Sequence, residues 1–168
     1  MADFSQQLVE LIPRLRRFAR ALTRSEADAD DLAQATIERA LVNAARWQRG
    51  SRLDSWVYRI AQNLWRDELR AHRRRSEPLD SVGELAGEDG RETFLQRIQA
   101  QEVALAFEQL PQDQRLVLAL VALDGLSYQQ AADTLGVPIG TVMSRLARAR
   151  GRLAAGMAGG KQQLRAAK

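Results

Sequence analysis

A short amphipathic helix, a glycine and a second helix with an apolar back leave a chain few ways to fold. That arrangement is written in SYQQAADTLGVPIGTVMSRLARARGRL, residues 127–153. Ser127 with Gln130 three residues on is a capping-box pattern, in which each partner satisfies a free backbone N–H of the other's turn. Ala131, Ala132 and Leu135 give the short helix one apolar face, and Gly136 suits the left-handed turn that closes it. VPIGT then turns the chain. Val142, Leu146, Ala149 and Leu153 follow at steps of three and four, one face of a second helix. Arg145, Arg148 and Arg152 fall on the opposite face with Ser144 beside them. Small Ala132 lets the two helices cross closely. The pattern predicts a helix-turn-helix, whose second helix enters a DNA major groove. The bland alternative is a basic amphipathic surface helix. The cap, the alanine pair and the glycine together favour the motif.

The rest of the chain is also written in helical period. FSQQLVELIPRLRRFARALTR is amphipathic, with Pro13 a kink or a new helix start. SEADADDLAQATIERALVNAARW opens on Ser25 as N-cap with Asp28 three residues on, and Asp30 and Asp31 suit the positive end of a helix dipole. Ala29, Leu32, Ala33, Thr36, Ile37, Ala40, Leu41 and Ala44 form its apolar stripe. After QRGSR breaks the pattern, LDSWVYRIAQNLWRDELRAHRRR predicts a third helix. Leu53, Trp56, Val57, Ile60, Ala61, Leu64 and Leu69 turn inward there, and Trp65 is read as core or as a stacking surface for single-stranded DNA. Arg59, Asn63, Arg66, Arg70 and Arg73 recur on another face. Solvated helix faces usually alternate charge signs, and this one is almost purely basic. TFLQRIQAQEVALAFEQL and PQDQRLVLALVALDGL add two more helices, the second starting at Pro111 and ending at Asp124-Gly125.

Charge divides the chain. Residues 1–75 hold 15 basic and 10 acidic side chains, a net +5. Residues 76–92, SEPLDSVGELAGEDGRE, hold one basic and six acidic, a net −5. Residues 93–168 hold nine basic and five acidic, a net +4. Two basic blocks separated by an acidic Gly/Pro/Ser segment without apolar periodicity predict two small helical domains, 1–75 and 93–157, joined by a flexible acidic linker at 76–92. The residues from 158 to 168 read as a flexible tail, loose from Gly159 onward. Basic blocks point to a polyanionic partner. Aromatic residues make up 5% of the chain, and Ala and Leu abound, which favours helix over sheet. The chain has 0 cysteines, which excludes disulfides and thiolate metal sites. No apolar run reaches membrane-spanning length, and the N-terminus lacks a signal-peptide layout, so the expectation is a cytoplasmic, all-α protein without membrane insertion. His72, the single histidine, sits in a basic run and reads as a solvated residue. No cofactor and no catalytic group is expected.

Three segments carry a resemblance to one family. LDGLSYQQAADTLGVPIGTVMSRLARARGRL resembles the C-terminal promoter-binding region of extracytoplasmic-function (ECF) RNA polymerase sigma factors, known as region 4. DADDLAQATIERAL resembles the core-polymerase-binding segment of their region 2, and SWVYRIAQNLWRDELRAHRRR resembles their minus-10 recognition helix. Their order, with a short linker and no third domain between, makes the likeness specific. The resemblance implies a non-enzymatic protein that binds core RNA polymerase through the β′ clamp helices and the β flap. It would direct the enzyme to a promoter and help melt the minus-10 region, restrained by an anti-sigma factor. It places Asp31, Leu32, Gln34, Thr36 and Glu38 against the clamp helices. It places Arg49, Gly50, Ser51 and Arg52 in the loop that captures an extruded minus-10 base, Asn63 at a base-reading position, and Arg59, Arg66 and Arg70 on backbone phosphates. Thr141, Ser144, Arg145, Arg148 and Arg152 match the minus-35-facing positions.

The chain departs from the family pattern at a few places. Met143 stands where many relatives carry a basic residue, and Ala147 where some carry a bulky one. LAQATIERA has Ala35, Thr36 and Ile37 in place of a commoner acid and aromatic. Two other classes remain open at this point. A dimeric regulator reading a palindrome would explain the C-terminal block but leave the Arg/Asn helix idle, and it need not bind core polymerase. A nucleic-acid-processing enzyme would need Asp28, Asp30 and Asp31 as Mg²⁺ ligands. Helix capping explains those acids more simply.

Overall fold

Among the described residues, steps of three and four between apolar side chains become seven α-helices. The computed structural model describes residues 2–23, 25–75 and 94–166. In chain order the helices are α1 (Ala2–Leu22), α2 (Glu26–Val42), α3 (Leu53–Arg75), α4 (Phe94–Glu108), α5 (Gln112–Leu118), α6 (Tyr128–Leu135) and α7 (Ile139–Ala166). A 3₁₀ turn, Ala44–Arg46, follows α2, and a π-helical turn, Ala119–Leu123, extends α5. The fold is all-α, and no strand occurs among the described residues. The expected linker at 76–92 lies outside them.

Local chemistry sets the helix ends. The Ser25 hydroxyl accepts from the Asp28 N–H at 3.1 Å and starts α2. Ser127 and Gln130 close a complete capping box at α6, and Gly136, at φ 65°, ends that helix in the left-handed region. Pro111 caps α5, as its missing N–H allows. One expectation is corrected, that of a new helix start at Pro13. Pro13 neither breaks nor restarts α1, which is one helix from Ala2 to Leu22. The proline removes the hydrogen bond to the Val9 carbonyl, and Val9 is on the exposed side, where water can take over. The backbone of α7 runs on as helix through Gly159 and Gly160 to Ala166. The glycines each cost about 1 kcal/mol relative to alanine, but Ala, Gln, Leu and Arg around them are good helix formers.

Helices α1, α2 and α3 pack around one another. Phe18 lies against Tyr58 with ring centroids 4.7 Å apart, and Phe4 sits between Trp47 and Trp56 at 5.5 and 6.2 Å. Trp65 is buried, which makes it core rather than a surface for bases. In the C-terminal half α7 packs on α4, α5 and α6. A Cβ on Gly156 would come within 3.0 Å of the Ala106 Cβ, so the glycine permits the close crossing of α4 and α7. The two sets of helices also touch: α1 lies against α5 and the π turn, and α3 against α6. Their buried apolar residues form one continuous cluster.

Candidate nucleic-acid interface

The helix-turn-helix is built as its sequence dictates. Val142, Leu146 and Ala149 are fully buried, with Leu153 packed at the edge of the core. Ala131 and Ala132 are buried at the crossing of α6 and α7. Ser144, Arg148 and Arg152 face solvent, and Thr141 is half-buried. The Ser144 hydroxyl donates to the Thr141 carbonyl at 3.1 Å, and Arg148 Nε donates to the Ser144 carbonyl at 3.2 Å. Arg148 is thus folded back along its own helix and can extend toward a ligand.

Arg145 does not join this row. Its side chain is 24% exposed and pairs with Asp113 at the start of α5, at 3.1 Å. On the helical wheel it flanks the buried stripe instead of opposing it. Sequence reasoning missed the pair because Asp113 lies on another helix. The outer face is also partly apolar, with Ile139 and Met143, the latter already noted in place of a basic residue, 42% and 52% exposed. A helix presenting two guanidinium groups, one hydroxyl and two apolar groups can contact phosphate or guanine with the first and thymine methyls with the last.

The second candidate surface lies on α3 and the loop before it. Gly50, at φ 89°, turns the QRGSR loop, a conformation L-residues avoid. The Ser51 hydroxyl donates to the Gln48 carbonyl at 2.7 Å. Arg49 is exposed. Arg52 pairs with Asp54, which also accepts the Ser55 N–H at 2.7 Å and meets Arg14 at 3.2 Å. Burial pushes the Asp54 carboxyl up, but Arg52, the Ser55 amide and Arg14 together hold it below the usual carboxylate range. Asn63, Arg66 and Arg70 are exposed on α3, and Arg70 reaches Asp67 at 3.7 Å. Between α2 and α3 opens a cleft of about 310 Å³ lined by Arg39, Asn43, Arg46, Trp56, Asn63 and Asp67. Of these, Asn63 alone was a candidate from sequence. The others come from two helices and a turn that only the fold brings together. Arg59, on the same helix, points elsewhere: its guanidinium donates to the Asp133 and Thr134 carbonyls of α6.

The acidic face of α2 is divided by burial. Asp31, Gln34 and Glu38 are exposed, and Gln34 donates to Glu38 at 3.0 Å. Leu32 and Thr36 are buried, with the Thr36 hydroxyl donating to the Leu32 carbonyl at 2.7 Å. Both side chains are enclosed in the core. They hold the helix that presents the other three. Among the described residues no group of three acids or histidines is placed to hold a metal ion. Nor is any helix there long and apolar enough to cross a membrane.

Comparison with known proteins shows the family. Residues 100–153 match the family model Sigma-70, region 4, and residues 8–62 match the Sigma2 domain of PhyR. The ECF RNA polymerase sigma factor EcfG of Rhodopseudomonas palustris is 39% identical over 88% of this chain and 81% of its own. The ECF sigma factor SigM of Mycobacterium tuberculosis is 37% identical over 84% of this chain and 70% of its own. The sigma factor RpoE of Bartonella quintana, solved in complex with the anti-sigma factor NepR, superposes with a TM-score of 0.82. It is 31% identical, and the match covers 94% of this chain and 98% of that one. The chain belongs to the ECF RNA polymerase sigma factors. It directs RNA polymerase to initiate transcription at promoters.

Proposed function

We propose that promoter reading is divided between two helical domains, residues 1–75 and 93–157, with the roles assigned as follows. Asp31, Gln34 and Glu38 form the acidic face of α2 that meets the clamp helices of core RNA polymerase. Arg49, Gly50, Ser51 and Arg52 form the capture loop for the minus-10 element, and Asn63 selects its bases. Arg66 and Arg70 hold the phosphates of the displaced strand. Ser144, Arg148 and Arg152, with Thr141, face the minus-35 element. Arg145 acts at one remove, steadying α7 through Asp113. An anti-sigma factor is the expected restraint, since the sigma factor RpoE of Bartonella quintana is held by NepR.

The observation that carries the minus-10 assignment is the cleft between α2 and α3. It sets the Asn63 amide and the Trp56 ring beside Arg39 of α2 and Arg46 of the 3₁₀ turn. Extruding a base costs a few kcal/mol of unstacking, and an aromatic ring with an amide is the chemistry that offsets it. Run-off transcription with core polymerase on a promoter library tests the whole reading. Permanganate footprinting tests the cleft: Ser51→Trp is expected to leave duplex promoter unmelted while a pre-melted promoter still binds. Normal opening of duplex DNA by that variant would remove the loop from the base-capture set.

A further inference from the structure

The outer surface of α7 carries more than its arginines. At about 100° per residue, the line farthest from buried Val142, Leu146 and Ala149 runs through Gly140, Ser144, Ala147 and Gly151. All four are exposed. A Cβ added at Gly140 or Gly151 would meet nothing within 4 Å, so no described neighbour demands a glycine there. The small side chains lower the ridge of the helix and let its backbone come close to the floor of a groove. Arg148 and Arg152 lie on one side of this low ridge, both exposed. Ile139 and Met143 lie on the other, four residues apart and both exposed, with Arg150 two turns beyond Met143. The helix therefore begins apolar on one flank and is basic on the other.

The apolar pair stands where a recognition helix meets base edges, in its first turns. Helix α7 begins at Ile139, with the Pro138 carbonyl accepting the Thr141 N–H at 2.9 Å, and Met143 is one turn further in. Among the groups that distinguish bases in the major groove, the C5-methyl of thymine alone is apolar. The others donate or accept hydrogen bonds, and a thioether would desolvate them while offering at best a weak acceptor. Along the axis Ile139 and Met143 are about 6 Å apart. That is just under two base-pair steps of about 3.4 Å, so the pair fits thymines on neighbouring steps.

We infer that Met143, flanked by Ile139, selects thymine in the minus-35 element by contact with its C5-methyl group. The inference rests on the assignment of α7 to that element and adds what this side chain chooses there. Methionine is unbranched and polarizable, so it follows the position of a methyl group without demanding one rotamer. Across the ridge the Arg148 and Arg152 guanidinium groups serve guanine or phosphate. The two flanks of one helix thus read different chemistry, and the contact made by Met143 carries no charge.

The test uses the full-length chain assembled with core polymerase, and duplex promoters carrying a randomised minus-35 segment. Selection and sequencing should give wild type a position that prefers thymine. Met143→Ala should lose that preference and keep the others. Uracil then replaces each thymine of the selected segment in turn, which removes a methyl group and no hydrogen bond. Wild-type binding should weaken about three- to fivefold at one thymine, as one buried methyl group implies. Met143→Ala should bind the thymine and uracil duplexes alike, and Met143→Leu should keep most of the discrimination. The salt dependence of wild type and Met143→Ala should agree, since no phosphate contact is lost. Met143 is exposed, so the fold should survive the change, and helical circular dichroism checks it. Equal uracil penalties in wild type and Met143→Ala, or none at any thymine, would overturn the inference. So would a selected segment without thymine in either strand. Arg148→Ala is selected in parallel. If it alters the preference and Met143→Ala does not, the assignment of α7 stands and the methyl contact falls. A wild type without any minus-35 preference removes both.

Discussion

Arg148 and Asp31 show what exposure adds to a residue's identity. Both were candidates by position alone, and both are solvent-facing on rigid helices. Asp31→Arg is expected to weaken core-polymerase binding with a helical spectrum close to wild type, because that carboxylate is exposed; a binding titration at matched ionic strength checks it. Arg148→Ala is expected to cost about 1–3 kcal/mol at one base pair if the guanidinium reads guanine. A uniform loss across sequences with a shallower salt dependence marks a phosphate contact instead. Thr36 lies at the other extreme. Its hydroxyl is consumed by the Leu32 carbonyl inside the core, so Thr36→Arg should unfold α2 rather than trim its affinity. Thr36 already belongs to the apolar stripe of α2 in sequence, so its burial was legible there. Arg145 was not legible, because nothing near it in sequence announces Asp113.

At the scale of elements, the helix-turn-helix stands on its punctuation. Gly136 adopts φ 65° with open space where a Cβ would go, so Gly136→Ala meets no clash, only backbone strain. The expected cost is about 1–2 kcal/mol. Ser127→Ala loses half of the capping box and should cost about 1 kcal/mol. Thermal melts of the two variants should be additive only in part, since they cap opposite ends of the same eight-residue helix. The same caps were readable from Ser127, Gln130 and Gly136, because capping is decided within four residues of chain. The π turn at Ala119–Leu123 was not, because its backbone differs from an α-helix only by the register of its hydrogen bonds.

Over the whole molecule, acid should find the Asp54 carboxylate, which Arg14 of α1 and Arg52 of the loop before α3 both hold. Asp54 is held below its ordinary value in the folded protein, so it stabilises the fold fully above about pH 4 and loses that contribution as pH falls through its lowered value. Acid unfolding followed by circular dichroism should show Asp54→Asn less stable than wild type at neutral pH. The two curves should converge as acid protonates the wild-type carboxylate. High salt should narrow the gap little, because the Asp54 side chain is only 13% exposed.

The sequence by itself determined that this chain is helical, where most helices begin and end, and that a helix-turn-helix closes it. Those features depend on periodicity and capping, which act over one or two turns. It also placed the basic stripe and the acidic face, since a helix converts spacing directly into sides. Which arginines are paired within the fold was decided only by tertiary structure. Arg145 and Arg59 carry the same charge as Arg148 and Arg66, yet the first is held by Asp113 and the second by the carbonyl end of α6. The cleft beside Asn63 and the Arg14–Asp124 pair likewise depend on elements up to 110 residues apart coming into contact. Long-range pairing of charges leaves no period in the sequence, because its geometry exists only after the helices have packed.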